Sequence, residues 1–176
     1  MLVVLGIFAA MVVVFLIVVA MQPAEYRVSR SVTIAAPASA VFPQVNEIKK
    51  WEPWSPWMKL DPNATSKYEG PAAGVGAAMI WAGNNEVGEG KMTITESKLN
   101  DLVRFRLDFY KPMAGTGDAE FTFRAEGDGT TVTWTMTGKN NFVGRAFCLI
   151  MKMDKMIGGN FEKGLADLKR IAETKP

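Results

Sequence analysis

Three tryptophans, Trp51, Trp54 and Trp57, fall within seven residues and are held stiff by Pro53 and Pro56. Each indole offers a large apolar body with one donor, so the group suits either the mouth of a greasy pocket or a core plug. The plug is the simpler reading. A second candidate is Asp154. Turning ~100° per residue, the C-terminal stretch places this acid inside an apolar stripe between Ile150, Ile157 and Phe161. A buried, unpaired carboxylate is costly, so it must be neutral or hydrogen-bonded. The available partners are an indole N–H, Tyr68 or Arg30, whose strand parity matches Val28 and Val32. Anchoring of the helix is the first reading of Asp154, orientation of a polar ligand group the second, and acid/base work the last.

What is missing narrows the chemistry further. The 176 residues contain no histidine and one cysteine, Cys148. That removes the usual general base, a Ser-His or Cys-His pair and an intramolecular disulfide, and no cysteine cluster suggests zinc. No catalytic residue, metal site or cofactor is expected, and enzymatic activity is disfavoured. The run Gly70-Pro71-Ala72-Ala73-Gly74-Val75-Gly76 lacks the Gly-Lys-Ser/Thr ending of a phosphate loop and precedes a strand, so it reads as a lid or plain connection. With 20 Lys+Arg against 18 Asp+Glu, the net charge of +2 gives no sign of nucleic-acid binding.

The elements that must position these residues follow from periodicity. Tyr26 to Ile34 reads as a strand, and Val41, Phe42 and Val45 as the apolar face of a short helix that Pro43 curtails. Six further strands are expected at 65–69, 77–82, 87–97, 102–109, 119–126 and 130–137. Their turns include Gly83-Asn84-Asn85, Asn100-Asp101, Gly115-Thr116-Gly117 and Gly127-Asp128-Gly129. Val103, Phe105, Leu107 and Phe109 oppose Arg104, Arg106 and Asp108; Phe121 and Phe123 oppose Thr122 and Arg124; Val132, Trp134 and Met136 oppose four threonines. A sheet with one greasy face needs a cover. It comes from Asn141 to about Thr174, where Val143, Phe147, Ile150, Ile157, Phe161, Leu165 and Leu168 form one helical stripe. Gly158, Gly159 and Gly164 weaken that helix by ~1 kcal/mol each, which suggests close approach to the sheet or room for a ligand.

Before all this stands an apolar run. Met1 to Met21 contains no charged residue or proline, and at ~1.5 Å per residue it reaches ~30 Å, the hydrocarbon thickness of a bilayer. A cleaved signal peptide fits less well, since no Lys or Arg precedes the run and its core is long. A buried core helix would need cover on every side, which a domain this small can hardly provide. The expected organisation is a transmembrane anchor at 1–21, a linker at 22–25 and one domain at 26–176. Arg27 and Arg30 after the span favour a cytoplasmic location for that domain.

The order β-α-α-β6-α resembles the helix-grip fold of START-like (SRPBCC) domains, and within them the polyketide cyclase/dehydrase and lipid-transport branch. The matching stretches are Ile34-Ala35-Ala36-Pro37 with Val41-Phe42, the Trp51–Trp57 tract, Gly74-Val75-Gly76-Ala77, 92–97, Val132-Thr133-Trp134, 153–158 and 161–165. The resemblance implies an α+β fold, a curved antiparallel sheet of about seven strands wrapped around a long C-terminal helix. It also implies a cavity for a hydrophobic or lipid-like molecule between the two. Its expected lining is Trp54, Trp57, Trp81, Met92, Phe105, Phe121, Phe123, Trp134, Met153, Asp154, Ile157 and Phe161. The first expectation is therefore membrane-tethered capture of such a molecule. The alternatives are a cyclase/dehydrase-type enzyme acting on a hydrophobic carbonyl substrate and a protein-interaction module like the chaperone-activator domains. A filled core along Phe121, Phe123, Trp134 and Ile157 would sink the first two and favour the third.

Overall fold

The computed structural model describes residues 2–140, 142, 144–146 and 153–174. Helix α1 (Leu2–Met21) carries the apolar run, and among residues 3–21 only Val19 is buried. Strand β1 (Glu25–Ile34) leads into α2 (Ala38–Asn46) and two short 3-10 turns, Ile48–Trp51 and Pro56–Lys59. Strands β2 (Thr65–Glu69), β3 (Ala78–Ala82), β4 (Glu89–Lys98), β5 (Leu102–Lys111), β6 (Gly115–Glu126) and β7 (Gly129–Lys139) follow, then α3 (Met153–Glu173). The seven strands form one antiparallel sheet in the order β1-β7-β6-β5-β4-β3-β2. This is the expected α+β helix-grip architecture.

Alternation sorts the faces. Val103, Phe105, Phe121, Phe123, Val132 and Trp134 point into the core, while Arg104 bridges Glu96 and Glu120 outside at 2.5 and 2.6 Å. Register shifts between Glu89 and Gly90 and between Ile94 and Glu96 interrupt the β4–β5 ladder, and such irregularities bend a strand. Helix α3 lays Phe161, Leu165 and Leu168 against the concave face. The part of the expected stripe at Val143, Phe147 and Ile150 lies outside the described residues.

Two local expectations are corrected. Gly115-Thr116-Gly117 is not a turn: these residues pair with Phe109, Asp108 and Leu107 as the start of β6, so the turn falls at 112–114. Pro43 does not end α2, which runs on to Asn46 because Val41, Phe42 and Val45 are all buried and compensate the lost hydrogen bond.

The meander has two ends. Tyr26, Gly138, Gly117, Leu107 and Met92 form one cross-strand row, with Gly115, Phe109, Gly90 and Trp81 in the next row out. Both rows lie at the end where the chain leaves α1, since the Asn140 amide donates to the Ala24 carbonyl at 2.7 Å. We call this the anchor end, after the anchor expected from the sequence at 1–21.

Candidate functional site

The space between sheet and α3 is occupied by aromatic rings. Trp134 on β7 stacks on Phe161 of α3 at 4.1 Å and 7°, and on Phe121 of β6 at 4.6 Å and 29°. Trp51, Trp54 and Trp57 present edges to it at 6.0, 5.8 and 5.4 Å, and Phe105 closes on Trp51 at 5.1 Å. Edge-to-face and stacked pairs of this kind are the favoured arrangements of aromatic quadrupoles. Two of the three indoles are tied to α2: Trp51 Nε1 donates to the Val45 carbonyl at 2.9 Å, and Trp54 Nε1 to that of Gln44 at 3.1 Å. The proline-stiffened tract is thus a plug that locks α2 onto the sheet. Trp51, absent from the expected lining, touches more rings of this cluster than Trp57 does. Its place in the seven-residue tract was the available signal.

One polar atom in this centre is unsatisfied. Trp134 Nε1 is buried with no hydrogen-bond partner. Buried donors are nearly always paired, and an orphan costs ~1–3 kcal/mol.

The filling is uneven along β6. Its inward residues run Gly115, Gly117, Ala119, Phe121, Phe123, from none to large over nine positions. The far half is closed by Phe121 and Phe123, the latter edge-on to Phe42 of α2 at 5.5 Å. In the anchor half β6 has no large inward side chain, and the cover there comes in part from Tyr26 of β1. A Cβ on Gly115 would meet nothing within 4 Å, whereas on Gly138 it would strike the Tyr26 ring, and on Gly117 it would crowd the Thr137 carbonyl at 3.1 Å. Around this half stand apolar residues that are only partly buried: Trp57, Trp81, Leu107, Phe109 and Ile157. Trp81 packs edge-on against Phe109 at 5.9 Å over Gly90, and its Nε1 donates to the Val87 carbonyl at 3.2 Å. Leu107 and Phe109, missed from the expected lining, already stood on the greasy parity of β5.

The other expected lining residues divide. Met92, Phe105, Phe121, Phe123, Trp134 and Phe161 are buried together with Trp54, and Ile157 is half-buried at the rim. The Met153 side chain lies outside the described residues. Asp154 is corrected: it does not sit in the apolar stripe. Its side chain is 69% exposed and faces Arg30 of β1, whose Nη1 and Nη2 donate to its two oxygens at 3.1 and 3.0 Å. Arg30 Nε also donates to Glu162 at 2.7 Å. The stripe turned far enough by residue 154 to place the acid at its edge, where a cation from the first strand reaches it. Hydrogen bonds from Arg30 hold the Asp154 carboxyl below its ordinary range against a weaker opposing effect of burial. Asp154 is thus ionised and outward, the opposite of an interior acid. Partial burial raises the Tyr68 phenol, with Glu52 adding to it, but Tyr68 sits on the edge strand β2. Asp61, the most buried carboxylate among the described residues, accepts backbone N–H groups of Asn63 and Asn84 at 2.9 and 2.7 Å and shapes loops.

Two concavities among the described residues lie elsewhere. One of about 200 Å³ sits between Ile48, Lys49, Tyr68 and the loop at 70–72; another of about 270 Å³ lies on the outer face by Arg27, Arg104 and Asp118. Neither is lined by α3. No group of three or more Asp, Glu or Cys among the described residues is placed to hold a metal ion.

Comparison with known proteins agrees with this architecture. The di-domain ARO/CYC BexL from the BE-7585A biosynthetic pathway superposes with a TM-score of 0.65 at 16% identity, over 90% of this chain and 53% of that one. The Aha1 dimer from Colwellia psychrerythraea gives 0.61 at 15% identity, over 85% and 97%. Protein CV1439 from Chromobacterium violaceum gives 0.58 at 15% identity, over 88% and 100%. At these identities the likeness speaks for the fold. No curated protein matches the chain in sequence. The family model described as polyketide cyclase / dehydrase and lipid transport matches residues 25–173, from the first strand to the last turn of α3, and the chain belongs to that family.

Proposed function

We propose that this protein is a membrane-tethered domain that takes up a hydrophobic, lipid-like molecule at the anchor end of the sheet–helix space. The observation that carries this reading is the graded inner face of β6. Small residues at Gly115, Gly117 and Ala119 leave β6 without large inward side chains where Leu107, Phe109 and Ile157 are only partly buried. Apolar concavities with few polar groups are the usual seat of such ligands. Phe121, Phe123 and Trp134 fill the centre, which counts against a deep cavity and against an enzyme holding substrate there, while Ile157, only half-buried, leaves the rim outside that filled core. Helix α1, one span by length and composition, supplies the tether.

The test is organic extraction and mass spectrometry of the detergent-purified full chain expressed in a bacterium, beside its Gly115→Phe variant. That site has open space for a side chain, so the variant should fold with an unchanged melting temperature and lose the co-purifying lipid. Equal lipid in both proteins, or no lipid and no thermal shift across a lipid panel with the parent, refutes the reading.

The filled centre also favours a second reading, a protein-interaction module that uses its loops or outer sheet face. A specific protein partner retained by the Gly115→Phe variant would support it.

A further inference from the structure

Beyond α1, seven large apolar side chains are exposed among the described residues: Leu60, Val75, Leu99, Met156 and three that share one end of the sheet. Tyr110 at the end of β5, Met113 in the β5–β6 turn and Phe142 after β7 are 53%, 51% and 46% exposed. All three belong to the anchor end, because Lys111 pairs with Glu89, Phe109 with Gly115, and Asn140 bonds Ala24. That end is held against the last turn of α1. Arg145 Nη1 donates to the Ala20 carbonyl at 3.2 Å, one of the four C-terminal carbonyls that lack helical partners, and a cation there also suits the helix dipole. Val19, one residue earlier, is buried. The stretch from Met21 to Glu25 reaches ~14 Å at most, about twice the depth of one polar headgroup layer.

From this juxtaposition we infer that the β5–β6 turn, with Tyr110 and Met113, and Phe142 beside it form a second membrane contact, seated at the headgroup level of the bilayer that α1 crosses. The occupant is the lipid surface itself. A tyrosine paired with a flexible apolar residue suits the interface, where one part of the side chain is wet and the other is not. The contact fixes the orientation of the domain, so that the rim of Leu107 and Phe109 opens toward lipid. Leu99, in the β4–β5 turn at the opposite end, is 80% exposed and equally apolar, and stands away from any membrane in this arrangement.

This inference rests on the tether proposed above, and one experiment separates the two. The full chain, with Cys148→Ser as background, is reconstituted into phosphatidylethanolamine/phosphatidylglycerol vesicles and spin-labelled singly at Val12→Cys, Met113→Cys or Leu99→Cys. Accessibility to oxygen and to a water-soluble nickel chelate is then read by electron paramagnetic resonance. The expected result is a label buried in hydrocarbon at position 12, and at position 113 an oxygen-to-nickel ratio several-fold above that at 99. A position 113 as open to nickel as position 99, with position 12 buried, overturns the membrane seat and leaves the tether standing. A label at 12 exposed to water overturns both. Hydrogen exchange of the unlabelled chain gives a second reading: the turn at 110–116 should exchange several-fold more slowly in vesicles than in detergent, while 98–101 is unchanged.

Discussion

At the residue scale, Arg30 and Asp154 decide how α3 sits. Arg30 reaches from β1 to two acids on the helix and to the Asp154 backbone carbonyl at 3.2 Å, so one side chain fixes both the height and the rotation of that turn. The pair is largely solvent-exposed, so its contribution should weaken with salt. Its pH dependence has a definite sign. The folded carboxyl lies below its ordinary value of 3.8, so the stabilisation is complete above the unfolded value and is lost as pH falls through the lower folded one. Asp154→Asn should therefore unfold at lower urea than the parent at pH 7 in low salt, and the gap should begin to shrink as pH falls below about 4 and vanish only below the folded value. A gap of constant size from pH 7 down through the acid range, or none at pH 7, would contradict this role.

At the element scale, α3 carries three glycines in different surroundings. A Cβ on Gly159 meets nothing within 4 Å, whereas on Gly164 it meets Pro56 and the Trp134 ring, each at 3.0 Å. Gly159→Ala should gain ~1 kcal/mol of helix propensity, read as a rise in melting temperature of roughly 2–4 °C. Gly164→Ala should lower it, because the Trp134 ring, stacked on both Phe121 and Phe161, cannot step aside. Equal shifts for both would show that α3 does not press on the tryptophan tract. Much of this element was legible in the sequence: Phe161, Leu165 and Leu168 keep the helical period, and strand parity sorted β5, β6 and β7. Asp154 was not legible, since a stripe about 100° wide has edges that a wheel drawn from sequence cannot place to within one residue. Gly115 and Gly117 were misread as a turn because glycine marks turns more often than it marks a bare patch of sheet.

At the scale of the whole molecule, the two ends of the domain are built differently. Far from α1, Lys169 Nζ donates to the Thr33 carbonyl at 2.7 Å and Glu173 accepts the Ala35 amide at 2.6 Å, so the end of α3 is riveted to the end of β1. Nearer α1, β6 itself carries no large inward side chain from Gly115 to Ala119, a stretch of ~14 Å at ~3.4 Å per residue, before the Phe121 ring. If that stretch seats a ligand, as proposed, the Phe121 wall makes it a gauge of chain length. Under the proposed function, a fatty tail that fits the gauge is fully sheltered, and a longer one leaves its remainder in the leaflet. Across a homologous series of acyl chains, affinity should climb with each added methylene and then level off, and Phe121→Ala should move that plateau to longer chains. Under the same proposal, the domain would grip a lipid by one end without lifting it clear of the bilayer.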